Sequence, residues 1–257
     1  MIQGYREFEF DLPKVLRAEL IQDLEAMDTA PLTVATATDL PNVQGLYEIQ
    51  YNGERVYIGK TNAKSGLAQR LKRHAEKTQQ RPTLTGQLTF KAIRVMVFTA
   101  MELESQLLHH YRSLNKAALP WNGSGFGSND PGRKRETTNQ DPDGFDQQHP
   151  IDVRLLENWL PSGSMEMSKA LARLRRKLPY TLRYQTKRDS NDRAQGHQPH
   201  SDMESKTVVI PVGPQTVEGL MRVFVKELGT DWQATAFPSH VILYKENVNY
   251  THGQRIV

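Results

Sequence analysis

The sequence predicts a mixed α+β protein in which a small, mostly antiparallel sheet is flanked by helices and followed by an α/β extension. Three observations lead to this prediction. The stretch GLYEIQYNGERVYIGK at 45–60 contains two strand-like segments separated by Asn52-Gly53, a dipeptide typical of β-hairpin turns. Segments 67–77 and 100–114 carry apolar residues at helical spacing. Residues 206–246 then show the pattern of a strand, a helix and a second strand.

Length and composition narrow the class of protein. A chain of 257 residues has room for one large domain or two modest ones. Lys and Arg number 33 against 29 Asp and Glu, which is only a weak indication of a nucleic-acid partner. Cysteine is absent, which excludes disulfides and thiolate metal sites. No apolar run is long enough for a membrane helix, and the first residues do not resemble a signal peptide, so we expect a cytoplasmic protein without membrane contacts.

The elements follow in order along the chain. Predicted helices and strands of the first part are a helix at 13–27, strands at 45–51 and 55–60, a basic helix at 67–77, a buried strand at 90–98 and a helix at 100–114. A loop rich in Gly, Asn, Asp and Pro occupies 120–144. We therefore expect an N-terminal helical arm at 1–40 and a core domain at 41–150.

The remaining residues, 151–257, are predicted to form the C-terminal extension. Residues 152–160 and 164–178 have the spacing of helices, and the second of these is strongly basic. Residues at about 187–205 are polar and lack aromatic side chains, which is typical of a flexible linker. A small α/β unit follows.

The two tyrosines of the hairpin, Tyr47 and Tyr57, lie an even number of residues apart, and strand side chains alternate between faces. A strict two-residue turn at Asn52-Gly53 would place them on opposite faces of the sheet. A three-residue loop at 52–54 would pair Ile49 with Tyr57 and make the tyrosines diagonal neighbours. The sequence allows both registers, and strand tyrosines by themselves most often pack as ordinary aromatics.

The basic stretch RLKRH places Arg70 and His74 four residues apart, on one face of the predicted helix. By itself such a run most often forms a solvated face. Beside two phenols, however, a guanidinium and an imidazole suit phosphate chemistry, because arginine binds phosphate oxygens while phenol and imidazole groups transfer protons.

The helix at 100–114 carries a carboxylate on its apolar side. At about 100° per residue, one arc about 160° wide contains its apolar residues: Leu103, Leu114, Leu107, Ala100, Tyr111, Leu108 and Met101. Glu104 falls near the middle of this arc, and Glu102 falls nearly opposite. An unpaired carboxylate in apolar surroundings is costly, so Glu104 needs a divalent cation, an arginine or a structural salt bridge. Glu104 is therefore the candidate metal ligand.

Taken in order, these motifs resemble those of the GIY-YIG nuclease superfamily. The matching residues are GLY at 45–47, VYIGK at 56–60, Arg70, His74, Glu104 and Asn122. Within the superfamily, WNGSGFGSNDPGRKR at 121–135 and DGFDQQHP at 143–150 resemble segments of type II restriction endonucleases that cut CCGCGG. The resemblance covers roughly residues 40–150 and leaves the extension unexplained. It implies a GIY-YIG core fold around the tyrosine-bearing hairpin.

The resemblance also implies hydrolysis of a phosphodiester with one Mg²⁺ per active site, for which Mn²⁺ can substitute. Its catalytic set would be Tyr47, Tyr57, Arg70, His74, Glu104 and Asn122, with Glu104 holding the metal. Lys60 and Arg73 would bind substrate. Tyr47 would take the proton of the attacking water, its pKa lowered by Lys60 and Arg70, although His74 is an alternative base. Asn115 is an alternative to Asn122.

The partner implied by the resemblance is double-stranded DNA. A restriction enzyme of this kind would act as a homodimer on a palindrome, and a cognate DNA methyltransferase would belong to the same system. Candidate DNA contacts are Arg133 and Arg135 in the loop and Arg173, Arg175 and Arg176 in the basic helix, which could equally be a solvated face. The alternatives are a homing or repair nuclease with the same core, or a DNA-binding module without cleavage activity.

Overall fold

A computed structural model of the protein describes residues 4, 12–61, 64–96, 100–127, 144–188 and 194–257. The fold is mixed α+β with mostly antiparallel sheets, which confirms the predicted class. Packing divides the chain into two units. The first unit contains the described residues of 1–76 and 86–123, and the second contains those of 77–85 and 124–257.

The first unit is built on a four-stranded antiparallel sheet with the strand order β1-β4-β2-β3. Its strands are β1 (Ala30–Pro31), β2 (Gly45–Tyr51), β3 (Glu54–Lys60) and β4 (Leu88–Arg94). β2 pairs with both β3 and β4, so β3 lies at one edge. The predicted strand at 90–98 begins earlier and ends at Arg94, and its last two residues lie outside the described part.

Helices cover both faces of this sheet. They are α1 (Leu12–Ala26), α2 (Val34–Thr38), α3 (Leu67–Thr78) and α4 (Ala100–Leu114), and α1, α3 and α4 match the predicted helices closely. α1 and α4 contribute to a buried cluster on one face of the sheet. That cluster consists of Leu20, Leu24, Leu46, Ile58, Leu107, Tyr111 and Leu119. α3 lies on the opposite face, towards which Tyr47 and Tyr57 point.

The glycine that opens β2 is required by close packing. A Cβ atom at Gly45 would lie 2.2 Å from the carbonyl oxygen of Ile93 and 2.9 Å from Leu67 Cδ1. No side chain fits between a neighbouring strand and a helix at such distances. The glycine of GLY therefore lets α3 approach the sheet, and α3 carries the basic residues of the candidate site.

The second unit contains a sheet with the strand order β12-β10-β11-β6, in which β6 runs parallel to β11. Its elements are α5 (Phe145–Gln148), β5 (Gly163–Glu166), α6 (Met167–Lys177), β6 (Thr181–Tyr184), β7 (Thr186–Arg188), β8 (Ala194–Pro199), α7 (Ser201–Glu204), β9 (Thr207–Ile210), α8 (Val217–Leu228), β10 (Gln233–Ala236), β11 (His240–Tyr244) and β12 (Gln254–Arg255). The predicted strand, helix and strand correspond to β9, α8 and β11. One apolar core joins α6 and α8 to the sheet.

The predicted helix at 152–160 is wrong. The backbone N–H and C=O of Glu157 are bonded to Gln215 instead, and the N–H of Ile151 donates to the carbonyl of Pro238. These distant partners replace the i→i−4 bonds of a helix, and nine residues of helical spacing are too few to form a stable helix without tertiary support. Residues 163–166 also form β5 rather than the start of the basic helix.

The predicted linker at 187–205 is also wrong for the residues that the structure describes there. β7 and β8 pair with each other in antiparallel orientation, α7 follows, and the side chain of Met203 is fully buried. Backbone pairing does not require apolar side chains, and one buried methionine anchors the segment. Polar composition therefore gave a misleading signal at this place.

The unit boundaries differ from those expected from sequence. The described residues of the predicted arm at 1–40 belong to the same unit as the first sheet. Residues 124–150, predicted to end the core domain, belong to the second unit, together with 77–85. Arg81 accounts for part of this arrangement, because its buried guanidinium bonds Asp146 at 2.7 Å.

Candidate functional site

The hairpin tip is a two-residue turn. Asn52 and Gly53 have φ values of 53° and 84°, and Tyr51 pairs with Glu54 across the turn. Positive φ at both central residues is typical of a type I′ turn, whose twist matches that of the flanking strands. This is the shorter of the two registers that the sequence allowed.

A bulge next to the tip then changes the register. Val56 is an extra residue in β3, so that Ile49 pairs with Tyr57 and Tyr47 with Gly59. Because directly paired residues share a face of the sheet, the bulge brings both tyrosines to the same face. The hairpin therefore has the tip of one predicted register and the tyrosine arrangement of the other.

Tyr47, Tyr57 and His74 form an aromatic cluster on this face. Tyr47 Oη and His74 Nε2 lie 2.8 Å apart in a hydrogen bond whose direction follows the imidazole tautomer. The ring centroids of the two tyrosines are 6.1 Å apart, and those of Tyr57 and His74 are 5.3 Å apart. Tyr47 and His74 are only 2% and 1% exposed, whereas Tyr57 is partly exposed. Tyr57 is therefore the member that a substrate can reach.

The glycine of YIG makes room for the two phenols. A Cβ atom at Gly59 would lie 2.4 Å from Tyr47 Oη and 2.8 Å from Tyr57 Cε1. Any larger side chain would push at least one ring out of the cluster. The presence of glycine in the YIG motif thus has a direct steric reason.

Two arginines of α3 act electrostatically on this cluster. Burial raises the pKa of both Tyr47 and Tyr57, and the charges of Arg70 and Arg73 oppose that increase. Burial, followed by the charge of Arg70, lowers the pKa of Arg73 itself, so the two guanidinium groups repel each other. Arg70 Nε is buried and has no hydrogen-bond partner in the described ranges. An anion placed here would relieve the repulsion and satisfy that donor.

The expectation that Tyr47 has a lowered pKa is wrong. Burial raises the pKa of Tyr47 well above its ordinary value, and the neighbouring Tyr57 adds to the increase. The opposing effect of Arg70 and Arg73 is smaller than the effect of burial. Tyr47 is therefore a neutral phenol at physiological pH, which can pass on a proton only if it receives one.

Glu104 in α4 has the partner that its position on the helix required. Its Oε2 lies 2.9 Å from Lys60 Nζ, and the Glu104 side chain is only 18% exposed. The salt bridge among the predicted alternatives is thus present, formed by a lysine instead of an arginine. Burial, followed by the negative charge of Glu104, raises the pKa of Tyr57. Lys60 and Tyr57 project from opposite faces of β3, so the carboxylate and the phenols flank one edge strand.

A magnesium ion fits this arrangement only with help from a substrate. Among the described residues, no group of three or more His, Asp or Glu side chains could hold a metal ion. Mg²⁺ is commonly held by one or two carboxylates together with substrate phosphates and water. Glu104 can supply one such carboxylate, and a bound phosphate would complete the set.

Asn122 lies at the open edge of β3. Its Oδ1 accepts from the N–H of Ile58 at 2.8 Å, and its Nδ2 donates to the carbonyl of Ile58 at 2.7 Å. Ile58 follows Tyr57, so Asn122 holds the strand segment that carries this phenol. The alternative residue, Asn115, directly follows α4, and its Oδ1 accepts from the N–H of Ala117.

Part of the predicted set lies outside the described residues. Arg133 and Arg135 belong to this group. The side chain of Glu102 is likewise not described. Arg173, Arg175 and Arg176 lie on α6, in the second unit, and their side chains are exposed.

Sequence reasoning missed a buried ionic network on the other face of β2. Glu48 is completely buried, and it accepts hydrogen bonds from Arg55 Nε at 2.5 Å and Gln50 Nε2 at 2.6 Å. Lys91 Nζ lies 3.9 Å from the same carboxylate. A charge at a core-facing position of a central strand implies a buried partner, so the argument used for Glu104 would have found it.

Comparison with known proteins indicates no function, so a functional assignment depends on the geometry of the site. No protein-family model matches the chain, and no curated protein matches it. Across the described ranges, none of the helices has the length and apolar character needed to cross a membrane.

Proposed function

We propose that the protein is a Mg²⁺-dependent, site-specific DNA endonuclease of type II restriction type, built on a GIY-YIG core. The observation that supports this proposal most strongly is the environment of Arg70. A guanidinium with a buried, unpartnered Nε lies within electrostatic range of two phenols that contact an imidazole. The missing partner of such a group is an anion, and the neighbouring residues transfer protons.

In this proposal the scissile phosphate lies beside Tyr57 and is bound by Arg70 and Arg73. The two guanidinium groups repel each other in the free protein, and burial further disfavours the charged form of Arg73. A phosphate removes that repulsion, and its charge grows further in the transition state. The arginines therefore bind the transition state more tightly than the ground state, which is the condition for acceleration.

The phenols and the imidazole form a path for the proton of the attacking water. Tyr57 is the exposed phenol, so we place it next to the water, in the role first expected for Tyr47. Tyr57 accepts a proton from water as its own proton passes to Tyr47, and Tyr47 delivers its proton to His74 Nε2. Each phenol stays neutral in net terms, which agrees with their raised pKa values. His74 is the final base.

Glu104 would hold the metal together with phosphate oxygens and water. When bound there, Mg²⁺ would supply Lewis-acid chemistry, which neutralises phosphate charge and stabilises a leaving oxygen. Glu104 must leave its salt bridge with Lys60 to bind a cation, and Mn²⁺ would bind the same carboxylate. Lys60 would then be free to bind a phosphate oxygen. Asn122 acts as a positioning residue, because both ends of its amide hold the backbone beside Tyr57.

Restriction activity adds three expectations about partners. One site of this kind cuts one strand, so cleavage of duplex DNA needs two sites, most simply in a homodimer on a palindrome. The predicted loop arginines would contribute base contacts in the major groove. A cognate DNA methyltransferase would protect the host DNA.

Two other functions fit part of the site. A homing or repair nuclease would use the same residues on different DNA. A DNA-binding module without activity would need only the cations, and it would give no reason for the Tyr47–His74 hydrogen bond at 2.8 Å. The hydrogen bond therefore favours a nuclease.

Digestion of unmethylated plasmid DNA with the purified protein tests the proposal. We expect discrete fragments in Mg²⁺ and intact DNA in EDTA. A continuous smear would contradict site specificity and favour a general repair function. Intact DNA in Mg²⁺, together with retained DNA binding, would favour the module without cleavage.

A further inference from the structure

A basic face on α6 has no part in the site described above. The core-facing side of this helix contains Met167, Ala170, Leu171 and Leu174. The other side exposes four cations: Lys169, Arg173, Arg176 and Lys177. The helix itself contains no acidic residue, and Glu166, which precedes it, pairs with Lys169 at 3.0 Å. The exposed face therefore keeps a large excess of positive charge.

Arg173 and Arg176 are the most informative of these cations. They lie three residues apart, on neighbouring positions of the exposed side. Neither has an ion-pair or hydrogen-bond partner within the described part of the chain. The helix macrodipole offers only about half a negative charge at this end, which does not neutralise several cations.

A surface cavity of about 310 Å³ adjoins this face. Its lining includes Arg173, Lys177, Trp159, Asn158, Ser162 and Gly213. Trp159 is 4% exposed, and its Nε1 is buried with no hydrogen-bond partner among described residues. Lys177 Nζ donates to the carbonyl of Asn158 at the cavity wall. Guanidinium and ammonium groups are donors that carry positive charge, so a complementary ligand supplies acceptors and negative charge.

A second polar cavity in the same unit lacks this property. It also contains three arginines, Arg154, Arg222 and Arg255. Each already has a partner: Asp152 at 3.7 Å, Glu218 at 2.8 Å and Asn247 at 2.7 Å, respectively. Two of these three arginines thus face carboxylates, and the third is hydrogen-bonded, whereas Arg173 in the other cavity has no such partner within the described ranges.

We propose that the exposed face of α6 and the adjoining cavity bind the phosphate backbone of DNA. The identity of this ligand rests on the proposed function, because a phosphate group could also come from a small molecule. Backbone contacts of this kind are independent of base sequence, and they raise affinity and fix orientation. The second unit then supplies DNA affinity through residues that take no part in the chemistry.

Fluorescence anisotropy with a labelled duplex in EDTA tests this proposal, because no cleavage can occur there. The test variant is the double substitution Arg173→Ala/Arg176→Ala, and the matched control is Lys226→Ala, an exposed cation on α8. Loss of two phosphate contacts should reduce the slope of log K against log salt by about 1.8. The control should keep the wild-type slope. A double variant with wild-type affinity and slope would overturn the proposal.

Titration with inorganic phosphate separates the two sources of the ligand. The fluorescence of Trp159, which lines the cavity, is the readout. The variant Trp159→Phe shows which part of the total tryptophan fluorescence comes from this residue. Weak phosphate binding together with the reduced DNA slope supports the backbone site. Tight phosphate binding, together with a double variant that keeps the wild-type affinity for DNA, would overturn the proposal in favour of a site for small anions. Absence of plasmid cleavage would contradict the proposed function. The DNA-binding measurement in EDTA could still be interpreted, because it does not depend on cleavage.

Discussion

At Gly59, the missing side chain is what allows two phenols and an imidazole to meet. The atoms that a Cβ would strike are Tyr47 Oη and the ring of Tyr57. Both belong to the proposed proton path. A change of one methyl group at this residue therefore tests the path without removing any functional group.

We expect Gly59→Ala to lower the cleavage rate by about 100-fold, which is the scale of general acid–base catalysis. Overpacking should cost about 1–3 kcal/mol of the free energy of unfolding, so the variant should remain folded. Single-turnover cleavage, with a thermal melt for folding, measures both effects. Glu54→Ala, an exposed residue of the same strand, is the control. Full activity of Gly59→Ala would argue against the phenol path.

Tyr47 should make stability depend on pH in the alkaline range. Burial raises its pKa in the folded protein, whereas a tyrosine of the unfolded chain ionises near pH 10. Above that pH the native state holds more protons than the unfolded state, so stability falls as pH rises. Tyr47→Phe should reduce this fall by up to about 1.4 kcal/mol per pH unit. Urea unfolding between pH 9.5 and 11 measures the slopes, and equal slopes would contradict the burial argument.

At the scale of elements, β3 organises the site because it is an edge strand. One face carries the phenols, the other carries Lys60 next to Glu104, and Asn122 bonds its free edge. Sequence periodicity predicted the strands, α3 and α4. It also predicted that the carboxylate of Glu104 requires a charged partner. It could not choose the register, because the bulge at Val56 depends on how both strands pack.

The edge contact leads to a stability prediction. Asn122→Ala would leave the N–H and C=O of Ile58 without partners, at a cost of about 1–3 kcal/mol. Asn115→Ala removes only one exposed bond and should cost less. Urea unfolding of both variants makes the comparison. An equal, small effect of the two substitutions would show that Asn122 does not support β3.

At the scale of the whole molecule, local sequence patterns predicted elements better than units. The distant pairing of Glu157 with Gln215 overrode helical spacing, and a polar segment formed the paired strands β7 and β8. The unit boundary was equally hidden, because it depends on contacts such as Arg81 with Asp146. These contacts join residues far apart in the chain, and periodicity contains no information about them.

This organisation predicts that a chain shortened to residues 1–150 loses local order at 77–85. That segment is part of the second unit, where the N–H of Asp152 donates to the carbonyl of Gln80. Hydrogen exchange measured by mass spectrometry should show faster exchange at 77–85 in the shortened chain. Exchange in β2 and β3 serves as the internal control. Unchanged protection at 77–85 would contradict the assignment of this segment to the second unit.

The most direct test of the central claim compares two glutamates of α4. Single-turnover cleavage of DNA in Mg²⁺ should be abolished in Glu104→Ala and retained in Glu102→Ala, while both variants keep their affinity for DNA in EDTA. That result would place Glu104 in a metal-dependent nuclease site beside the tyrosines of β2 and β3. Equal cleavage by the two variants, or no cleavage of any duplex by the wild type, would contradict the account.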